Sequence, residues 1–211
     1  MLLTVVDYGV GNLRSIAKSI EKANSDNNLN YSVKVSSDVR DVEKADKIVL
    51  PGQGSFKACK EGINNIPGLQ EILNESVLIK KKPIYGICAG MQLFATTGYE
   101  EEKTAGLNWI AGEVIKLDLG LSKLKIPHMG WNELKVENIS NVFKEVTNKD
   151  HAYFIHSYEF IPRDKKNISI TTSYGKDVIA AVSCANIFGS QFHPEKSQNT
   201  GIKILTNFLN L

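Results

Sequence analysis

Cys88 stands in the run Gly86-Ile87-Cys88-Ala89-Gly90, after the apolar stretch 83–87 and before a helical pattern that opens at Met91. Strand, sharp turn and helix in that order make a nucleophile elbow, here with a thiol where many hydrolases carry a hydroxyl. Glycines two residues before and after the cysteine allow a tight bend free of side-chain clashes. The bend exposes the sulfur at the carboxyl end of a strand, where open α/β sheets hold ligands. The following helix is expected to point its N-terminus at the sulfur and favour thiolate over thiol. Taken alone, this run also suits a buried structural cysteine beside a tight turn. Cys59, in a helical pattern, and Cys184, at the end of an apolar strand, lack the setting and read as small core residues.

A thiol nucleophile needs a base, and Phe192-His193-Pro194-Glu195 supplies one. In an extended segment residues i and i+2 share a face, roughly 7 Å apart. His193 and Glu195 therefore project the same way, with Pro194 stiffening the spacing. Glu195 would hold the imidazole in one tautomer and stabilise its charged form. His193 would take the thiol proton and return it to the leaving group. An isolated H-P-E reads better as a surface histidine beside a turn; the upstream elbow changes that balance. Leu50-Pro51-Gly52-Gln53-Gly54 ends another apolar strand. Its two glycines permit a backbone amide to swing toward a developing oxyanion, beside the amide of Ala89.

These segments need a sheet to hold them. Residues 2–6, 31–35, 47–50 and 83–87 read as strands, and 12–23 as a helix with Leu13, Ile16, Ala17 and Ile20 on one face. Strands alternating with helices imply a doubly wound, mostly parallel α/β sheet flanked by helices. In the last third, 126–136, 153–160, 168–172 and 178–183 read as strands, expected to add antiparallel hairpins to the main sheet. Residues 200–209 close as a helix, and 24–30 read as a surface loop. We expect one domain over residues 1–211, large enough to bury roughly 70% of its unfolded surface without disulfides or metals. The 25 basic and 23 acidic residues nearly balance, which disfavours nucleic acid as a partner. Lys80-Lys81-Lys82 reads as a solvated helix end. Three cysteines without a C-x-x-C pair point to reduced thiols and a cytoplasmic setting. The N-terminus reads as a first strand rather than a signal peptide, and no apolar run approaches the roughly 18 residues of a membrane span.

Taken together, G-I-C-A-G-M-Q and the distant H-P-E-K-S resemble the class I glutamine amidotransferases. Further tracts resemble one branch of that family, the glutaminase subunits of imidazole glycerol phosphate synthases. They are Asp7-Tyr8-Gly9-Val10-Gly11-Asn12, Lys125-Ile126-Pro127-His128-Met129-Gly130-Trp131-Asn132, Tyr153-Phe154-Ile155-His156-Ser157-Tyr158 and Gln191 to Gln198. They reach from residue 7 to residue 198, nearly the whole chain, and P-H-M-G-W-N is the most specific. The resemblance implies a flavodoxin-like fold and a triad of Cys88, His193 and Glu195. It implies glutamine contacts from Gln92 and Glu100, with backbone help from His156, Ser157 and Tyr158. It also implies a partner: a cyclase subunit, itself a (β/α)₈ barrel, that forms a heterodimer with the chain. The cyclase would use the ammonia to form imidazole glycerol phosphate and an aminoimidazole carboxamide ribotide in histidine biosynthesis. Asn12, Trp131, Asn132, Tyr153 and Lys196 are the positions expected to face it, and no cofactor or metal is implied.

The chain departs from the family's habit at Gln53, usually Val, and at Ala89, often Leu or Val. Gln53 bears on how readily the oxyanion strand reorients, and the lone chain is expected to be nearly inactive. His128 is expected to bond within its turn, His156 to lie on a strand, and His151 to sit in a solvated turn. Two other functions fit parts of the pattern. One is a paralogous glutaminase feeding another synthase, such as an amidino-sugar amidotransferase. The other is a non-catalytic binding module of flavodoxin-like shape, against which the intact Cys, His and Glu argue.

Overall fold

In the computed structural model, which describes residues 1–211, the apolar runs pair into an eight-stranded sheet. The first part of the chain forms β1 (Leu2–Val6), α1 (Leu13–Asp26), β2 (Ser32–Ser36), α2 (Val39–Lys44), β3 (Lys47–Leu50), α3 (Phe56–Asn64), α4 (Leu69–Asn74), β4 (Ile84–Ile87) and α5 (Ala89–Gln92). The remainder forms β5 (Thr97–Gly98), β6 (Thr104–Ala105), β7 (Gly112–Lys116), β8 (His128–Glu133), β9 (Lys135–Val136), β10 (His151–His156), β11 (Tyr158–Pro162), β12 (Ile168–Ser173), β13 (Asp177–Cys184), β14 (Ile187–Ser190) and α6 (Gln198–Leu209).

The main sheet runs β2-β1-β3-β4-β14-β13-β12-β9. Its first five strands are parallel and the last three antiparallel. Every residue of β3 and β4 is buried, as continuous apolar runs covered on both faces must be. Successive side chains alternate between two cores. Leu3, Val5, Val49, Tyr85 and Ile87 pack against Ile16 and Ile20 of α1 and Ile204, Leu205 and Phe208 of α6. Ile48, Leu50 and Ile84 face the other way, against Val42 of α2, Phe56, Cys59 and Ile63 of α3 and Leu69 and Leu73 of α4. Helix α1 starts where Asn12 caps it, its Oδ1 accepting from Ser15 N at 3.4 Å.

Three expectations need correction. The strands of the last third do not all join the main sheet: β8 and β10 form a separate two-stranded ribbon, and β11, β7, β5 and β6 a separate four-stranded sheet. Residues 153–160 are two strands rather than one. The chain leaves the ribbon at His156, bends at Ser157 and enters the other sheet at Tyr158. The pattern from Met91 onward yields only the single turn α5, because after Gln92 the chain folds back and Trp109 and Ile110 donate to the carbonyl of Phe94. Two smaller differences concern ends: α1 runs on to Asp26, into the expected loop, and His151 opens β10 rather than sitting in a turn. Lys80 and Lys81 are exposed after a short π-helical segment, Glu75–Ile79, while Lys82 is half-buried and donates to the Glu43 carbonyl. No helix is long and apolar enough to cross a membrane, and no group of His, Cys, Asp or Glu is disposed to hold a metal ion.

Candidate active site

The segments carrying Cys88 and His193 leave the sheet side by side. β4 and β14 are adjacent and parallel, with Ile87 opposite Ser190, and the Cys88 N–H donates to the Ser190 carbonyl at 2.8 Å. β14 escaped sequence analysis because four residues containing a glycine show no period. Its one signal is that a segment bearing a catalytic base must leave a strand end next to the nucleophile. At the elbow Cys88 adopts φ +54°, ψ −116°, a conformation that costs a non-glycine residue of the order of 1–3 kcal/mol. The surrounding hydrogen bonds hold it there. Helix α5 has one turn, so little macrodipole reaches the sulfur, contrary to expectation.

His193 Nδ1 lies 2.8 Å from Glu195 Oε1, in a pair almost withdrawn from water. That leaves the other ring nitrogen available to Cys88. Burial works against charge on the ring. The neighbouring Cys88 and the bonded Glu195 carboxylate outweigh it, and the His193 pKa is pushed up to about 10. The loop is clamped from β10. His193 N donates to the Tyr153 carbonyl at 3.0 Å, Ser197 Oγ donates to the His193 carbonyl at 2.7 Å, and Tyr153 N donates to Ser197 Oγ at 3.0 Å.

Across from the sulfur, the backbone of residues 50–52 packs directly on the elbow. A Cβ on Gly90 would sit 2.0 Å from the Leu50 carbonyl oxygen, and one on Gly52 would sit 2.0 Å from Gly90 N. Beyond Gly52 the strand opens. Gln53 and Gly54 are exposed, and Gly54 has φ +107°, where a side chain would be strained. No backbone N–H of Gly52, Gln53 or Gly54 takes part in an internal hydrogen bond. Two carbonyls are held from below: Pro51 by the Tyr8 hydroxyl, and Gln53 by the Cys59 thiol at 3.8 Å. Burial pushes the Cys59 thiol up to about 11, which suits an unreactive core position.

A cavity of about 330 Å³ joins these parts. It is lined by Asn12, Gly52, Gln53, Gly54, Cys88, Ala89, Gln92, Glu100, Ile155, His156, Ser157, Tyr158, His193, Glu195, Lys196 and Pro127. Gln92 is buried, its Nε2 donating to the Tyr158 carbonyl at 3.1 Å. Glu100 Oε2 accepts from Phe56 N at 2.7 Å at the start of α3, and burial raises its pKa. His156 Nδ1 lies 2.8 Å from the Tyr158 carbonyl and its Nε2 lies 3.0 Å from His128 Nδ1. His128 therefore bonds across the ribbon, not within a turn as expected.

Beside the cavity mouth the ribbon shows one exposed face. Trp131 lies opposite Tyr153 and Met129 opposite Ile155. Trp131 and Tyr153 meet edge to face at 6.2 Å, and Lys196 Nζ lies 5.4 Å from the Tyr153 ring centroid. Asn132 falls on the opposite face, donating to His128 and to the Ser173 carbonyl, so it is not presented outward with Trp131. Met129, 58% exposed, and Ile155 were not singled out from the sequence. Their offset of two from Trp131 and Tyr153 was the available signal. Gln191, whose Nε2 lies 3.5 Å from Cys88 Sγ, was missed as well.

A buried Cys–His–Glu arrangement at the strand ends of a doubly wound sheet defines a class, and comparison agrees. The chain belongs to the class I glutamine amidotransferases, whose family model matches residues 4–211, and it is accordingly an enzyme subunit of that type. The fold is shared with a solved glutamine amidotransferase at a TM-score of 0.71 and 15% identity, covering 99% of each chain. A putative GMP synthase subunit from Thermoplasma acidophilum gives 0.67 at 18% identity, covering 100% of this chain and 92% of that one. Within the class the chain falls among the HisH subunits of imidazole glycerol phosphate synthase. It is 50% identical to the protein of that name from Pelagibacter ubique, over the whole of both chains. It is 42% identical to that from Brucella suis, over 99% of this chain and 98% of the relative.

Proposed function

We propose that the chain is the glutaminase subunit of an imidazole glycerol phosphate synthase, acting in the cytoplasm with a (β/α)₈ cyclase as a heterodimer. Cys88 attacks the side-chain carbonyl carbon of glutamine as a thiolate. The carbonyl oxygen becomes an oxyanion, received by the uncommitted amides of residues 52–54 and by Ala89. As the C–N bond breaks, His193 gives its proton to the departing nitrogen, which leaves as ammonia. A thioester to Cys88 remains. Water, deprotonated by His193, then attacks the thioester, and glutamate leaves while the electron pair of the C–S bond returns to sulfur. Glu195 keeps the imidazole oriented and favours its charged form. Gln92, Glu100 and the backbone of His156, Ser157 and Tyr158 would hold the amino-acid end of glutamine.

The observation that carries this reading is the delivery of Cys88 and His193 from adjacent parallel strands, with Glu195 2.8 Å behind the imidazole, in one cavity. The exposed ladder of Met129, Ile155, Trp131 and Tyr153 beside Lys196 and Asn12 is the proposed docking face. Ammonia released at its edge would pass to the cyclase without meeting bulk water, where it would be protonated. The test is co-purification with the cyclase, followed by glutamine-dependent formation of imidazole glycerol phosphate. Cys88→Ala should abolish glutamine-dependent product while keeping the complex and the use of added ammonia. Glutamine turnover retained in that variant would remove Cys88 as the nucleophile. A wild-type chain that hydrolyses glutamine but binds a different synthase would point to the paralogue.

A further inference from the structure

The proposed triad leaves one group at the sulfur unexplained. Gln191 lies between β14 and His193 and is fully buried. Its Nε2 is 3.5 Å from Cys88 Sγ, and its Oε1 accepts from Gln92 Nε2 at 2.8 Å. A backbone carbonyl decides which end of each amide faces which, because a carbonyl only accepts. Gln92 turns its NH₂ toward the Tyr158 carbonyl at 3.1 Å. The atom of Gln191 that meets the same NH₂ must therefore be its oxygen, and the NH₂ of Gln191 faces the sulfur.

The same carbonyl sets a second line of donors. His156 Nδ1, 2.8 Å from it, must carry a proton, so His156 Nε2 accepts. His128 Nδ1, 3.0 Å away, is then the donor, and His128 Nε2 accepts from Asn132 Nδ2 at 3.2 Å. Burial pushes both histidines down to about 4, so the rings are neutral at physiological pH and the direction of donation is kept. His128 is further fixed by stacking between Phe154 and Tyr174.

We propose that Gln191 is a further catalytic residue, an N–H donor to the Cys88 thiolate, aimed by Gln92 and Tyr158 with His156, His128 and Asn132 as positioning residues behind them. This rests on the reading of Cys88 as the nucleophile. An amide nitrogen has no lone pair to offer an S–H, so the contact favours thiolate over thiol. The donor acts twice. It stabilises the free thiolate before attack, and in the second half of the reaction it receives the charge that returns to sulfur when the thioester C–S bond breaks.

The test is the pH dependence of iodoacetamide alkylation of the full-length chain between about pH 5 and about pH 10. Peptide mapping keeps Cys59 and Cys184 out of the Cys88 signal. Gln191→Leu should move the Cys88 profile up by about one pH unit, slowing alkylation about tenfold on its acid limb. Gln191→Glu should move it further once the new carboxylate ionises beside the sulfur. His128→Phe, which keeps the stacking but cuts the line of donors, should move it the same way by less. In the wild-type chain the side-chain NH₂ resonances of Gln191 should titrate together with Cys88, a measurement that needs no variant to fold. Profiles that superimpose on wild type in folded variants, or NH₂ resonances that ignore the titration, overturn the proposal. If wild-type Cys88 instead alkylates like an ordinary thiol, the nucleophile reading itself falls.

Discussion

The elbow at Cys88 and the strand at Gly52–Gly54 touch at atomic distance, yet they are held differently. At the elbow the Cys88 amide is bonded to Ser190, its carbonyl accepts from Met91 and Gln92, its sulfur faces Gln191, and the residue is 9% exposed. Across the gap Gln53 and Gly54 face solvent with unbonded amides, and one thiol contact restrains the Gln53 carbonyl. Two neighbouring backbones thus divide the requirements of acyl transfer. The reactive atom is fixed in place by its strand neighbours, and the group that must meet the oxyanion keeps its freedom. A strained, fully bonded turn loses its geometry all at once, whereas an unbonded strand can be biased by a small change in its surroundings.

The contrast can be broken from either side. On the fixed side, Glu195→Gln should leave the imidazole in place but unsupported as a cation. We expect kcat to drop by about 10²–10⁴-fold, measured as glutamate release in the cyclase complex. On the free side, Gln53→Pro deletes one amide donor at an exposed position. It should lower kcat by about 10²–10³-fold while the thermal midpoint stays close to wild type. An equal fall in stability and activity would mean the strand is structural rather than adjustable.

A third contrast is one of pH. The His193 pKa is raised above its unfolded value to about 10, so its stabilising contribution is present below about pH 6.5 and is lost as pH rises through about 10. His128 and His156 are lowered to about 4. They remain neutral in the fold while the unfolded rings take up protons, so stability is lost as pH falls from about 6.5 toward about 4. Thermal melts across pH should show both limbs. His193→Ala should flatten the alkaline one and His128→Phe the acid one. The smallest effect is expected from Cys59→Ala, which frees the Gln53 carbonyl of a contact worth about 0.5 kcal/mol. Basal glutaminase activity of the lone chain should change about twofold, read by coupled glutamate assay.

Strands β1, β3 and β4 were legible because each is a short, largely buried apolar run, and α1 because it carries one apolar stripe. Cys88, His193 and Glu195 were legible because glycine and proline spacing constrains a backbone wherever it occurs. The rest depended on tertiary context. β14 is too short to show a period, and the apolar run at Met91–Ala95 is buried on all sides, so pattern could not distinguish a helix from a folded-back turn. The break at Ser157 falls inside a continuous strand-like tract, and only the pairing of its halves with β8 and β7 reveals it. Gln191 sits beside the H-P-E tract as an ordinary polar residue until the partners of its amide are known.

The bend at Ser157 has a mechanical consequence. The ribbon pairs with neither larger sheet, and its strand β10 passes without a linker into the wall where glutamine is proposed to sit. Torque applied to Trp131 and Tyr153 on its outer surface would therefore be delivered at a pivot one residue from the Tyr158 carbonyl, as a crank turns a shaft.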